Sequence, residues 1–371
     1  MLPADATPLR PRHATAAAVV LMLAACAPQP APAPAPSVPR DARPAVVVTP
    51  TINLPQLRLM FAALPSRFDS PTNPATPAKI DLGRMLYLDP RLSKAQDLSC
   101  NSCHLLDHGG DDGARFSTGH KGQLGGRNAP TVFNAAGQLA QFWDGRAATV
   151  EAQAQGPVLN PVEMAMPDPG YVLRVLTSIP GYVRAFAAAF PGEAAPITID
   201  NFGRAIGAFE RGLVTPGRFD ALLAGDDAAL TSAERAGLAT FVTVGCTTCH
   251  AGPLLGGTMY MKLGLVQPYG NAADQGRFDA TKLDSDRMFF KVPSLRNVAV
   301  TPPYFHDGSQ PDLPTAVREM ARLQLGKVMS DADVAAVVGF LEVLTAPPPA
   351  AYVAVPALPP SGPRTPAPDP S

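Results

Sequence analysis

Four of the five cysteines in this 371-residue chain fall in two copies of one pentapeptide, Cys100-Asn101-Ser102-Cys103-His104 and Cys246-Thr247-Thr248-Cys249-His250. C-x-x-C-H is the spacing that attaches c-type haem. The two thiols bond covalently to the porphyrin edge, and the short tether holds the adjacent imidazole under the iron. A zinc ribbon also pairs C-x-x-C motifs, but about 15–20 residues apart, whereas Cys103 and Cys246 lie 143 positions apart. Two covalently bound haem c groups are therefore expected, with His104 and His250 as proximal iron ligands.

Length and charge narrow the partners. With 371 residues there is room for two domains, one for each motif. Thirty Lys and Arg against 31 Asp and Glu leave a net charge of −1, which gives no support to nucleic-acid binding. Arg10 and Arg12 precede an apolar run over 16–25 that is too short to span a bilayer, so 1–26 reads as a signal peptide. It ends in Leu23-Ala24-Ala25-Cys26, which resembles a bacterial lipobox with Cys26 as the lipidated residue; an ordinary secretory signal followed by a free thiol is the alternative. Either reading exports the chain, so the periplasm is expected, with a possible lipid anchor at Cys26.

Residues 27–53 are rich in Pro and Ala and read as a stiff linker, and the Pro-rich composition of 347–371 predicts a disordered tail. Between them the pattern is mostly helical. Amphipathic stretches cover 170–190, 199–213 and 232–244, with capping residues at Thr231 and Ser330, the latter opening a last helix through Leu344. Strand-like alternation is scarce. The halves also repeat: ten positions separate Asn134 of Pro-Thr-Val-Phe-Asn from Asp144 of Phe-Trp-Asp-Gly, and the same ten separate Asn297 of Pro-Ser-Leu-Arg-Asn from Asp307 of Phe-His-Asp-Gly. The expected fold is mainly α, with two cytochrome c-like helical haem domains related by duplication, 54–215 and 216–346, and long loops around the cofactors.

Several runs carry a family resemblance: Phe116-Ser117-Thr118-Gly119-His120, Asn128-Ala129-Pro130-Thr131, Phe142-Trp143-Asp144-Gly145-Arg146, Asn160-Pro161-Val162-Glu163-Met164 and Tyr304-Phe305-His306-Asp307-Gly308. Over about 54–344 the chain resembles the bacterial di-haem cytochrome c peroxidases. The resemblance implies a peroxidatic haem in the first half and an electron-transfer haem in the second. It implies His120, on a glycine-rich loop, as a distal ligand that is released when the partner haem is reduced. Glu163 is implied as the acid–base residue, Gln153 as the group that orients peroxide or water, and Trp143 as the residue between the haems.

Met320 is implied as the sixth ligand of the second iron, in competition with Met259, Met261, Met288 and Met329. Thioether ligation suits an electron store because it raises the reduction potential relative to a second imidazole. The resemblance further implies a calcium ion held by Asn128, Thr301 and Pro303, without an acidic cluster to mark it. His108 has no implied role. Hydrogen peroxide is the implied substrate, and the implied partners are a small soluble donor, a c-type cytochrome or copper protein, and a second copy of the chain in a homodimer. Two alternatives remain: a di-haem enzyme that oxidises a protein substrate, as in methylamine utilisation, where tyrosine replaces the distal methionine, and a non-catalytic di-haem electron carrier.

Overall fold

Short apolar runs, each closed by proline, glycine or a capping side chain, make short helices. The computed structural model describes residues 52–371; the expected leader, Cys26 and nearly all of the linker lie outside them. The helices are α1 (Leu54–Met60), α2 (Pro77–Leu88), α3 (Val150–Leu159), α4 (Pro169–Ser178), α5 (Pro180–Ala189), α6 (Ile199–Glu210), α7 (Arg218–Ala224), α8 (Ser232–Val244), α9 (Phe278–Thr281), α10 (Leu313–Leu325), α11 (Asp331–Val343) and α12 (Ala350–Val353). One antiparallel ribbon, β1 (Tyr260–Lys262) against β2 (Phe289–Lys291), interrupts the loops. Thr231 caps α8 in a capping box with Glu234, and Ser330 caps α11 through the Asp333 amide. The stretch 170–190 is two helices rather than one. Pro180 has no N–H to continue α4 and instead starts α5, where the missing donor costs nothing.

Two apolar centres organise these helices. The first gathers Leu82, Leu86, Tyr87, Phe186, Phe202 and Phe209, and the second Phe219, Leu238, Phe241, Val337 and Phe340. In each, two helices cross at a glycine. A Cβ on Gly83 of α2 would lie 2.0 Å from the Ala205 carbonyl oxygen of α6, and one on Gly237 of α8 would lie 2.0 Å from the Ala336 oxygen of α11. The next neighbours also correspond, Phe209 and Phe340, four residues further along each partner helix. The paired loop motifs share backbone conformation as well. Asn134 and Asn297 have φ 59° and 61°, and Phe142 and Phe305 have 65° and 72°. Both asparagine side chains donate to one hydroxyl, Thr215 Oγ1, at 2.8 and 3.1 Å.

Segments near both ends of the described residues cross between the centres. Leu57 and Phe61, placed by sequence in the first domain, pack into the second core. The tail expected to be disordered instead lies along the first half. Tyr352 stacks on Phe209 with ring centroids 5.3 Å apart and donates to the Phe209 carbonyl at 2.7 Å. Proline-rich composition disfavours helix and strand but does not prevent an extended segment from docking when aromatic and polar side chains meet a surface.

Arg296, 1% exposed, closes the second half. Its guanidinium donates to both oxygens of Asp220 at 2.7 and 2.9 Å and to the Pro253 carbonyl at 2.9 Å, while Asp220 accepts from the Leu64 and Gly217 amides. Removing one partner strands a buried charge. Arg296→Leu is expected to destabilise the protein by about 3–5 kcal/mol in denaturant unfolding of the holoprotein; a loss below about 1 kcal/mol would show that the pair is not structural.

Candidate active site

Each C-x-x-C-H motif folds as a single 3₁₀ turn, Cys100–Ser102 and Cys246–Thr248. The His104 and His250 amides bond back to the Cys100 and Cys246 carbonyls at 3.0 and 2.9 Å, which turns thiols and imidazole toward the same cavity. The first cavity, about 850 Å³, is lined by Cys100, Cys103, His104, Trp143, Gln153 and Glu163. The second, about 250 Å³, is lined by Cys246, Cys249, His250, Met320 and again Trp143.

These residues fit haem c better than a thiolate-bound metal. Burial pushes the Cys100 thiol up to about 12 and Cys246 to about 11, so both are neutral thiols with nothing bound to them. Burial also lowers both histidines, keeping them in the neutral form that ligates iron. His250 Nδ1 lies 2.9 Å from the Leu255 carbonyl, and because that oxygen can only accept, Nδ1 carries the proton and Nε2 has the free lone pair. Among the described residues, no group of three His, Cys, Asp or Glu side chains could hold a metal ion by itself.

Glu163 is set by the end of α3. Asn160, the C-cap residue, donates to Glu163 Oε1 at 2.7 Å, and burial raises the carboxyl above its usual value of 4.5 against the opposing effects of that bond and of Arg146. Gln153 projects into the same cavity from α3, one turn before Pro157, which also lines it. Trp143 borders both cavities. Its indole Nε1 donates to the Asn128 carbonyl at 2.9 Å, and its ring meets His306 edge-on at 6.4 Å.

His120 is placed elsewhere. It is 6% exposed, lies outside the lining of both cavities, and its Nε2 is 3.4 Å from the main-chain oxygen of Ser371. Its loop, though rich in glycine, is pinned at this point. The His120 amide donates to the Glu163 carbonyl at 2.8 Å, and a Cβ on Gly119 would lie 2.0 Å from the Val162 oxygen, so glycine there serves close approach rather than freedom.

On the second cavity, Met261 and Met329 accompany Met320, whereas Met259 and Met288 lie outside the lining. Asn128, Thr301 and Pro303 border this cavity beside Asp111. Asp111 is 2% exposed, its Oδ1 has no hydrogen-bonding partner, and burial pushes its carboxyl up to about 7. His108 Nδ1 is 3.7 Å from that oxygen, and the oxygen donors of Asn128, Thr301, Pro303 and Asp111 are of the type a hard cation takes.

Three lining residues escaped the sequence reading. Glu210, raised by burial to about 8, faces the first cavity one turn beyond Ile206, so its signal was an acid continuing the apolar stripe of α6. Lys291, lowered by burial to about 7, sits between Phe290 and Val292 on the second cavity. His306 is 2% exposed and stacked on Phe290, with Nε2 unpartnered. Nothing in its local sequence marks Lys291, whereas His306 occupies the place of Trp143 in the repeat, which is the signal that could have found it.

Residues 77–228 match the family model described as di-haem cytochrome c peroxidase. The cytochrome c551 peroxidase of Nitrosomonas europaea is 45% identical over 301 residues, covering 80% of this chain and 89% of the relative. The chain belongs to the di-haem cytochrome c peroxidase family. Within it, the methylamine utilization protein MauG of Methylorubrum extorquens is 34% identical over 322 residues, 81% of this chain and 88% of the relative. A solved MauG-like protein associated with microbial copper homeostasis superposes with a TM-score of 0.71 at 28% identity, covering 79% of this chain and 97% of that one. For a member of this family with both motifs intact, a pyridine haemochrome assay is expected to give two haems per chain, and Cys246→Ser/Cys249→Ser one. Two haems in the double variant would show that the second motif is not an attachment site.

Proposed function

We propose that this protein reduces hydrogen peroxide to water with electrons from a small soluble donor protein, a c-type cytochrome or a copper protein. The observation that carries this reading is the unequal furnishing of two cavities with a common wall: Glu163, Glu210 and Gln153 line the first, with Met164 as its one thioether, whereas Met261, Met320 and Met329 line the second, with Asp111 as its one carboxylate, and Trp143 borders both. Cys100, Cys103 and His104, and Cys246, Cys249 and His250, would hold one haem each, and these would supply the iron for peroxide chemistry in the first cavity and for electron storage in the second.

The chain's own groups do the rest. Glu163, held by Asn160, takes a proton from the near oxygen of peroxide and returns it to the far one as water leaves. Gln153 orients the peroxide by hydrogen bonding. Trp143, fixed by its bond to the Asn128 carbonyl, spans the path between the cavities. Met320 serves as the thioether ligand on the second side, and His120 as the residue that competes for the first. That thioether also favours a peroxidase over the protein-oxidising reading, which carries tyrosine there. Calcium held by Asn128, Thr301 and Pro303, with Asp111 alongside, ties the loops that meet at the common wall. We further propose export to the periplasm, anchoring through a lipidated Cys26, and a homodimer.

Glu163→Ala is expected to keep both haems and lower peroxide turnover by about a hundredfold or more. Because burial raises the Glu163 pKa, the proton is retained to higher pH, and the base form is lost as pH falls through that raised value. The acid limb of wild-type turnover is therefore expected above 4.5, the ordinary value for Glu. A limb at or below it, or undiminished turnover in Glu163→Ala, would remove the assignment. Met320→His is expected to lower the potential of the second haem in a spectroelectrochemical titration. An unaltered potential would transfer the ligand role to Met261 or Met329.

A further inference from the structure

The residues of the tail form a continuous strap that ends at His120. Beyond Tyr352, Pro359 lies against Gly181, where a Cβ would approach its Cβ to 2.3 Å. Thr365 accepts from Ser178 Oγ at 2.9 Å, and the Pro366 carbonyl accepts from Gln96 at 2.8 Å. The last residues converge on Lys94: the Asp369 amide donates to the Lys94 carbonyl at 2.9 Å, and Lys94 Nζ donates to the Ser371 main-chain oxygen at 2.6 Å. That same oxygen is the one 3.4 Å from His120 Nε2. Lys94 is itself tied to the active-site segment, its amide donating to the Met164 carbonyl at 2.8 Å, next to Glu163.

We propose that the strap 361–371, fastened by Lys94, is a positioning element that holds His120 away from the first haem. It leaves the sixth position of that iron open before the second haem is reduced. The inference rests on the proposed reading of His120 as competing ligand. Its physical basis is exclusion at one atom. A hydrogen bond to the Ser371 oxygen requires a proton on Nε2, whereas ligation of iron requires the lone pair of that nitrogen. Because ligation of iron through Nε2 would break the contact with Ser371, the strap favours the position of His120 seen here by that differential contact. Lys94 and Ser371 act through His120 and touch no reacting atom. Docking is spread over contacts to Phe209, Ser178, Gly181, Gln96 and Lys94, so the strap end is held in place whichever position the imidazole takes.

The test is the electron paramagnetic resonance spectrum of the oxidised, full-chain holoprotein, compared with a variant lacking residues 361–371 and with Lys94→Ala. The full chain is expected to show a high-spin first haem. Shortening is expected to lower the ratio of high-spin to low-spin first haem by about tenfold or more, with Lys94→Ala intermediate and Lys94→Arg close to the parent. Adding His120→Ala to the shortened chain is expected to restore the high-spin signal. A full-chain protein already low-spin at the first haem would overturn the proposal. So would an unchanged ratio in both the shortened protein and Lys94→Ala, or a low-spin signal that survives His120→Ala. If the shortened protein does not fold, the Lys94 pair decides. Peroxide turnover is measured separately with reduced cytochrome c, so a protein with no turnover but a strap-dependent spin state refutes the function and keeps the strap.

Discussion

A common wall between two cofactor cavities is the constraint on which the rest of this structure depends. Residues 128–131 and Phe142-Trp143 border both, so a side chain fixed in that wall is fixed relative to both haem attachment sites. The wall is stiffened from behind. Trp143 is tied to the Asn128 carbonyl, the Asn128 amide donates to His306 O at 2.8 Å, and Asn134 and Asn297 share the Thr215 hydroxyl. The first bond stiffens the loop of the first half itself, and the others join the two halves, directly at His306 or through Thr215. Two separately folded haem domains on a tether would have no such fixed distance.

Across that wall the environments diverge, and the divergence is where function resides. A carboxylate kept partly dry has its proton held more tightly, which suits a group that must both take and return one near neutral pH. Thioether sulfur is uncharged and polarisable, and favours the reduced iron. Neither property depends on the helix crossings, which correspond in the two halves at Gly83 against Ala205 and Gly237 against Ala336. The difference lies in the residues that line each cavity, some of them on helices (Gln153, Glu210, Met320) and some on loops (Glu163).

Much of this was legible in the residues. Covalent attachment demands a fixed pentapeptide, so both haem positions could be read directly. The caps at Thr231 and Ser330 are local bonds between residues three apart and are equally readable. Glu163, Gln153 and Trp143 came from family resemblance, and the structure brings them to one cavity. Part of what escaped depends on long-range contact. Glu210 continues the apolar stripe of α6 and His306 takes the place of Trp143 in the repeat, whereas Lys291 acquires its burial from segments far away in sequence, and no local pattern encodes that. The tail was misjudged for the same reason: its composition reports poor helix and strand propensity, whereas its place is set by Phe209, Gly181 and Lys94. His120 shows the limit most clearly, since the motif names the residue but not which way its ring faces.

The central claim is that two haem irons within one chain differ in their distal surroundings, one kept for peroxide and the other for electron storage. A spectroelectrochemical titration of the intact protein, following each haem by its own absorption, tests this most directly. The account predicts two well-separated one-electron steps, the upper belonging to the His250/Met320 haem and the lower to the haem of His104. A single unresolved step, or the reverse order, would contradict it.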